Sequence, residues 1–288
     1  EIGSGLVGSE MCIRDRLYIK LEVLKMKVLI TGASSGIGRD MARYLSEKGF
    51  ELVLTGRNMK KLEELKKTLK SDAELIYSDL SEENAPFVLY KKCKDKNIDF
   101  LINNAGYGLF GEFDKTDIYD ELDMLNVNIR AMHILTKLFL RDFKRRNYGI
   151  ILNVASSAGF MTGPLMSSYY ASKNYVFRLS MAIYEELRRS RSNVKISVFC
   201  PGPVDTNFNN RAGVSFSVKS ISSEYAARYA IDKCLSGKTL IIPSVQMKLG
   251  VFCTRLVPQK LLSAVTYNIQ HNNCLLYTSP SPRDRSLS

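Results

Sequence analysis

The chain has no tryptophan, only two histidines (His133 and His271) and only eight prolines in 288 residues. Its six cysteines fall at positions 12, 93, 200, 234, 253 and 274, with no CxxC pair among them. Metal-ligand spacing is therefore missing, and no metal is expected. Scattered cysteines also argue against a disulfide scaffold and for reduced thiols, the ordinary state in a cytoplasmic protein. No apolar run approaches the ~20 residues needed to span a bilayer. The most apolar late stretch, 240–257, is broken by Lys248 and Arg255. Positive charge is in excess, formally +12. The lysines and arginines are scattered rather than held in one block, which reads as a solvated basic surface. No nucleic-acid recognition motif accompanies them, so no nucleic-acid partner is expected.

The two ends carry an anomaly. Residues 6–15 read LVGSEMCIRD and residues 274–284 read CLLYTSPSPRD. A DNA that encodes the second gives the first when its opposite strand is translated in a shifted frame. Such an element resembles a transposase adapter used in making sequencing libraries. The expectation is that residues 1–16 and 274–288 are translated adapter and that the natural start lies near Met26, in MKVLITG. A secretion signal fits less well, because no apolar core follows a basic start. The expected organisation is an adapter-derived leader over 1–25, a catalytic domain over 26–245, an apolar and basic helical extension over 246–273, and an adapter-derived tail over 274–288.

From Lys27 short apolar strands alternate with amphipathic helices. Strands are predicted at 28–31, 51–55, 74–78, 100–103, 150–154, 195–199 and 239–242. Helices are predicted over 37–48, 58–70 with Asn58 as N-cap, 117–144, 168–190 and 222–235, and one or two more over 245–270. Residues 202–220 read as a long loop. Strand–helix alternation implies right-handed crossovers and an α/β fold: a Rossmann-like, doubly wound parallel sheet with helices on both faces, in a single domain.

The segment Thr31-Gly-Ala-Ser-Ser-Gly-Ile-Gly38 follows the first strand and opens a helix. Glycine permits a tight turn and close approach of backbone to phosphate. A helix N-terminus adds unpaired N–H groups and the positive end of its dipole. A pyrophosphate is thus expected against Gly32, Ser34, Ser35, Gly36, Ile37 and Gly38. The spacing is GxxxGxG, and no Lys-Ser/Thr pair follows, which sets aside a P-loop. The second strand ends in Thr55-Gly56-Arg57, where an enzyme selecting NAD usually places an acid for the ribose hydroxyl. Arg57, with Arg39 just after the glycines, suits a 2′-phosphate bidentately, so NADP(H) is expected over NAD(H).

Tyr169 and Lys173 lie four apart and share a helix face. A nearby ammonium is expected to lower the phenol pKa and tune Tyr169 for proton transfer near neutral pH. Ser156, just past a strand, is placed to donate to a substrate oxygen. Asn128 is a candidate to seat a water that relays protons to Lys173, with Asn126 as the competitor. Tyr170 raises a question of register, but only Tyr169 has a lysine at i+4.

These motifs, in this order, resemble the short-chain dehydrogenase/reductase family over essentially all of 26–245. The matching residues are TGASSGIG (31–38), Asp79, Asn103 to Gly106, Asn128, Ser156, Tyr169 with Lys173, and Pro201-Gly-Pro-Val-x-Thr206. The resemblance implies a catalytic tetrad of Asn128, Ser156, Tyr169 and Lys173. It also implies a cofactor contact from Asp79 and its neighbour Leu80, and a cofactor floor at Asn104, Ala105 and Gly106. Further contacts are implied at Pro201, Gly202, Val204 and Thr206, the last meeting the carboxamide. The implied activity is hydride transfer between a nicotinamide and a carbonyl or secondary alcohol of a small molecule, by a homodimer or homotetramer. Phe160, Met161, Leu165, Met166, Phe208, Val214 and Phe216 are candidates to line an apolar pocket. Two other readings stand beside this one. A non-catalytic dinucleotide sensor has no need of Ser156, Tyr169 and Lys173. A peripheral membrane reductase, lying on lipid through the basic, apolar segment 246–270, is less favoured because family tails often cover the active site.

Overall fold

The computed structural model describes residues 26–206 and 220–275, with side chains through His271. Of the termini expected to be foreign sequence, only Cys274 and Leu275 fall among the described residues, at the end of the last helix.

Seven strands form one parallel sheet: β1 (Lys27–Thr31), β2 (Glu51–Gly56), β3 (Ala73–Tyr77), β4 (Ile98–Asn103), β5 (Ile150–Val154), β6 (Lys195–Phe199) and β9 (Leu240–Ile241). Their order is β3-β2-β1-β4-β5-β6-β9, and every pairing is parallel. β1, β4 and β5 read as continuous apolar runs because both faces are covered. Val28 and Ile30 point into one layer with Met41 and Leu45 of α1 (Gly36–Glu47) and Ala226 and Ile231 of α7 (Ser223–Leu235). Leu29 and Leu101 point into the other layer. There they meet Leu89 of α3 (Ala85–Cys93), Leu135 and Phe139 of α5 (Met132–Arg146), and Ile183 of α6 (Ser167–Arg189). α2 (Met59–Lys66) begins as expected, with Asn58 accepting from the Lys61 N–H at 2.9 Å.

The chain reverses direction across the sheet between β1 and β4, and an open α/β sheet binds ligands at the carboxyl end of such a switch point. Two departures from the sequence expectation lie there. The helix predicted as one run over 117–144 is α4 (Ile118–Leu125) and α5 joined by a π-helical turn over Asn126–Ala131. The loop predicted over 202–220 opens with a two-residue strand, β7 (Val204–Asp205), that pairs in parallel with β8 (Ile221–Ser222) just beyond it. The tail forms two helices, α8 (Val245–Cys253) and α9 (Gln259–Leu275), and Pro258 precedes the second.

Candidate active site

The glycine turn is a tight, preassembled cradle. Gly32 and Gly36 have φ of 66° and 53°, a region that favours glycine. A Cβ on Gly32 would lie 2.8 Å from the Ala105 Cα. The Thr31 hydroxyl accepts from the N–H groups of Asn104 and Ala105 at 2.9 and 3.0 Å. The Asn104 carboxamide returns bonds to the carbonyls of Thr31 and Gly32. The exit of β4 is thus stitched to the turn after β1. Helix α1 opens without a side-chain cap and without an acid in its first turn, so its dipole is left for an anion.

Further along, Arg57 reaches Asp79 at 3.4 Å and is half exposed. Burial raises the Asp79 pKa, but hydrogen bonds from Ser81 and the Arg57 charge win and hold it below the usual carboxylate range. Arg39 behaves otherwise. Its guanidinium makes a fork to Asp40 at 2.8 and 3.0 Å, and Asp40 is buried and also takes the Ser223 hydroxyl. A buried carboxylate needs that partner, and Arg39 is not among the residues that line the cavity.

The π-helical turn places Asn128 in the interior. Its Oδ1 accepts from the Tyr107 N–H at 3.1 Å; its Nδ2 donates to the Tyr107 carbonyl at 2.9 Å and to the Ser172 hydroxyl at 3.1 Å. Ser172 in turn donates to the Tyr169 carbonyl at 2.7 Å. Asn128 is engaged at both ends of its amide and ties the β4 exit to α6. Ser156, extended at φ −170°, accepts from the Ala158 N–H at 3.2 Å and starts a short 3₁₀ turn over Ser157–Phe160. Lys173 donates to the Val154 carbonyl at 3.1 Å and lies 5.9 Å from the Tyr169 ring centroid.

Tyr169 and Lys173 are both buried. Burial pushes the Tyr169 phenol above its usual range; its hydrogen bond with Ser156 opposes this. Burial pushes Lys173 down to about 8. The expected lowering of the Tyr169 pKa by Lys173 is not found: burial of the phenol is the largest influence and moves it upward, and Tyr170 adds to the rise.

These groups wall one cavity of about 520 Å³. Every expected site residue lines it except Gly38, Arg39 and Asn128. Gly38 is a packing glycine, since a Cβ there would lie 2.6 Å from the Gly32 carbonyl oxygen. Asn128 sits behind Gly106, where an added Cβ would lie 2.9 Å from Asn128 Oδ1 and 3.2 Å from Lys173 Nζ. Asn126 lies at the start of the π turn, off the cavity wall. Of the expected pocket residues, Met161 and Met166 line the cavity; Phe160 packs on Phe177 with ring centroids 4.5 Å apart, and Leu165 is off the wall. Phe208, Val214 and Phe216 lie outside the described residues.

The tail supplies residues that sequence reasoning missed: Met247 of α8, and Thr266, Ile269 and Gln270 of α9. Gln270 donates to the Tyr170 hydroxyl at 2.6 Å. Tyr170 is thus bound to the tail, whereas Tyr169 faces Ser156 and Lys173. The available signal was the row Leu262, Thr266, Gln270 at i, i+4, i+8, whose polar members hid its inward direction.

The residues fit a nicotinamide dinucleotide. A glycine cradle that a Cβ would fill lines the cavity together with Ser156, Tyr169 and Lys173, of which Tyr169 and Lys173 are buried and Ser156 is partly exposed. The comparisons agree. The family model described as short chain dehydrogenase matches residues 26–214. Mouse dehydrogenase/reductase SDR family member 7B is 30% identical over 238 residues, covering 77% of this chain and 67% of that protein. Mouse estradiol 17-beta-dehydrogenase 11 is 28% identical over 248 residues, covering 84% and 83%. The structure of a short-chain dehydrogenase from Sphingobium yanoikuyae in complex with NADPH superposes with a TM-score of 0.74 at 26% identity, covering 82% of this chain and 94% of that one. The chain belongs to the short-chain dehydrogenase/reductase family and is a nicotinamide-dependent oxidoreductase acting on CH–OH or C=O groups.

Proposed function

We propose that this chain reduces a hydrophobic ketone or aldehyde with NADPH, and that Tyr169 donates the proton. The observation that carries this reading is the placement of Tyr169, which is buried, lines the cavity beside Ser156 and has Lys173 Nζ 5.9 Å from its ring centroid. A phenol bonded to Ser156 in that position can hand its proton to the alkoxide that develops as hydride reaches a carbonyl. NADPH, when bound, supplies the hydride. Ser156 holds the carbonyl oxygen and polarises it. Lys173, whose pKa of about 8 leaves it mostly protonated at neutral pH, stabilises the phenolate left after transfer and holds the nicotinamide ribose. Asn128 acts by position, fixing Tyr107 and Ser172 around Gly106. The apolar wall of Met161, Met166, Met247 and Ile269 favours a substrate with a bulky apolar body.

Preference for NADPH rests on Arg57. It stands at the end of β2 next to Gly56, and its carboxylate partner Asp79 is 3.4 Å away and shared with Ser81. Arg39 gives no support, being committed to Asp40. Calorimetric titration with NADPH and NADH tests the reading: tighter NADPH binding is expected, and equal affinities contradict it. The active form proposed is a cytoplasmic homodimer or homotetramer, which sedimentation measures.

A further inference from the structure

The tail helices wear their hydrophobic residues outward. In α9 the row Leu262, Thr266, Gln270 is buried against the body of the protein, while the adjacent row Leu261, Val265, Ile269 is roughly half exposed. Two of its three buried residues are polar, while an apolar row faces out beside exposed polar residues such as Gln259 and Asn268, unlike an ordinary surface helix. α8 also turns apolar residues outward. Val251 is its buried contact, whereas Val245, Leu249 and Phe252 are exposed, as is Leu256 in the turn that follows. Charge adds a second observation. No aspartate or glutamate occurs between Lys233 and Arg283, and Lys248, Arg255 and Lys260 all stand exposed along the two helices. Two helices that present apolar residues and cations and carry no acid of their own complement the interface of an anionic bilayer. Exposed apolar patches of this kind mark interaction sites rather than plain solvated surface.

We propose that α8 and α9 dock this protein peripherally on anionic lipid, with Leu249, Phe252, Leu261 and Val265 at the acyl boundary and Lys248, Arg255 and Lys260 on lipid phosphates. No helix among the described residues is long and apolar enough to cross a membrane, so the attachment lies in the interface. Ile269 belongs to the outward row and also lines the cavity, so the docked face adjoins the cavity wall. A bilayer-dissolved carbonyl compound then has a short route in; this corollary rests on the reductase reading, and the docking does not.

Vesicle flotation of the full chain tests the proposal. Phosphatidylcholine vesicles are compared with phosphatidylcholine–phosphatidylserine vesicles. The wild type is expected to float with the second by at least about tenfold over the first. The same loss is expected for Leu249→Ser/Phe252→Ser/Leu261→Ser/Val265→Ser and for Lys248→Glu/Arg255→Glu/Lys260→Glu. Circular dichroism and NADPH binding report folding, and the exposed charge variant carries the test if the serine variant misfolds. Failure of the wild type to float, or flotation that survives the substitutions, overturns docking. So does sedimentation showing that the apolar rows instead hold two copies of the chain together. A protein that floats but reduces no ketone contradicts the proposed activity and leaves the docking standing.

Discussion

Lys173 Nζ donates to the carbonyl oxygen of Val154 at 3.1 Å, so the helix that carries Tyr169 is pinned to the last residue of β5. The price of that placement is a buried ammonium, and it has a pH signature. Lys173 is depressed from 10.5 to about 8 by burial. Below pH 8 both folded and unfolded chains carry the proton, and the penalty is fully present. Between pH 8 and 10.5 the unfolded chain holds more protons, so stability rises with pH. Lys173→Met removes the effect. In urea titrations the wild type is expected to gain about 3 kcal/mol on this variant between pH 7 and 10.5. A difference that stays flat with pH contradicts the buried-lysine assignment.

Tyr169 and Tyr170 are neighbours with separate tasks, their rings 6.0 Å apart and nearly perpendicular. Tyr169→Phe is expected to bind NADPH normally and to lose turnover by at least ~100-fold. Tyr170→Phe severs the bond to Gln270 and is expected to stay within about tenfold of the wild type in turnover, losing a neutral hydrogen bond. Steady-state kinetics with one soluble ketone separates the two; equal losses would undo the assignment.

Arg57 and Arg39 are expected to part company as well. Arg57→Ala brings NADPH affinity down to that of NADH with little change in stability, since its pair with Asp79 is exposed and weak. Arg39→Ala leaves the ratio of affinities alone and costs about 1–3 kcal/mol, because buried Asp40 loses its bidentate partner. Calorimetry and thermal melts read both. A selectivity loss in the Arg39 variant would reverse the assignment.

Gly106→Ala probes the close packing behind the cavity floor. The new methyl meets Asn128 Oδ1 and Lys173 Nζ at 2.9 and 3.2 Å, and neither is free to retreat. Turnover is expected to fall by about tenfold or more while the protein remains folded, as sub-ångström displacement of a catalytic group suffices for such a loss. Unchanged kcat and KM would show that the lysine position is not critical.

Much of this was legible in the sequence, and the reasons for the rest are physical. The buried strands announced themselves because both faces of a covered parallel sheet demand apolar residues. The glycine turn was readable because Gly32 and Gly36 adopt positive φ. Arg39, expected at the cofactor from its place after the third glycine, pairs with the buried acid beside it, and sequence position does not announce such a pairing. The π turn at Asn126–Ala131 left no mark, since one widened turn barely disturbs a helical pattern. The Tyr169 pKa went the other way from expectation because a four-residue spacing reports proximity, whereas desolvation depends on everything packed around the pair. The tail's share of the cavity was hidden for a similar reason: Thr266 and Gln270 are polar residues facing inward.

The central claim is hydride transfer from a nicotinamide with Tyr169 as the acid. NADPH deuterated at the transferable C4 position, incubated with a bulky apolar ketone and the wild-type protein, tests it directly by mass spectrometry of the product. The account predicts deuterium on the carbinol carbon, with label incorporation lost in Tyr169→Phe. Alcohol without label, no alcohol from any apolar carbonyl compound, or undiminished labelling by the variant would contradict it.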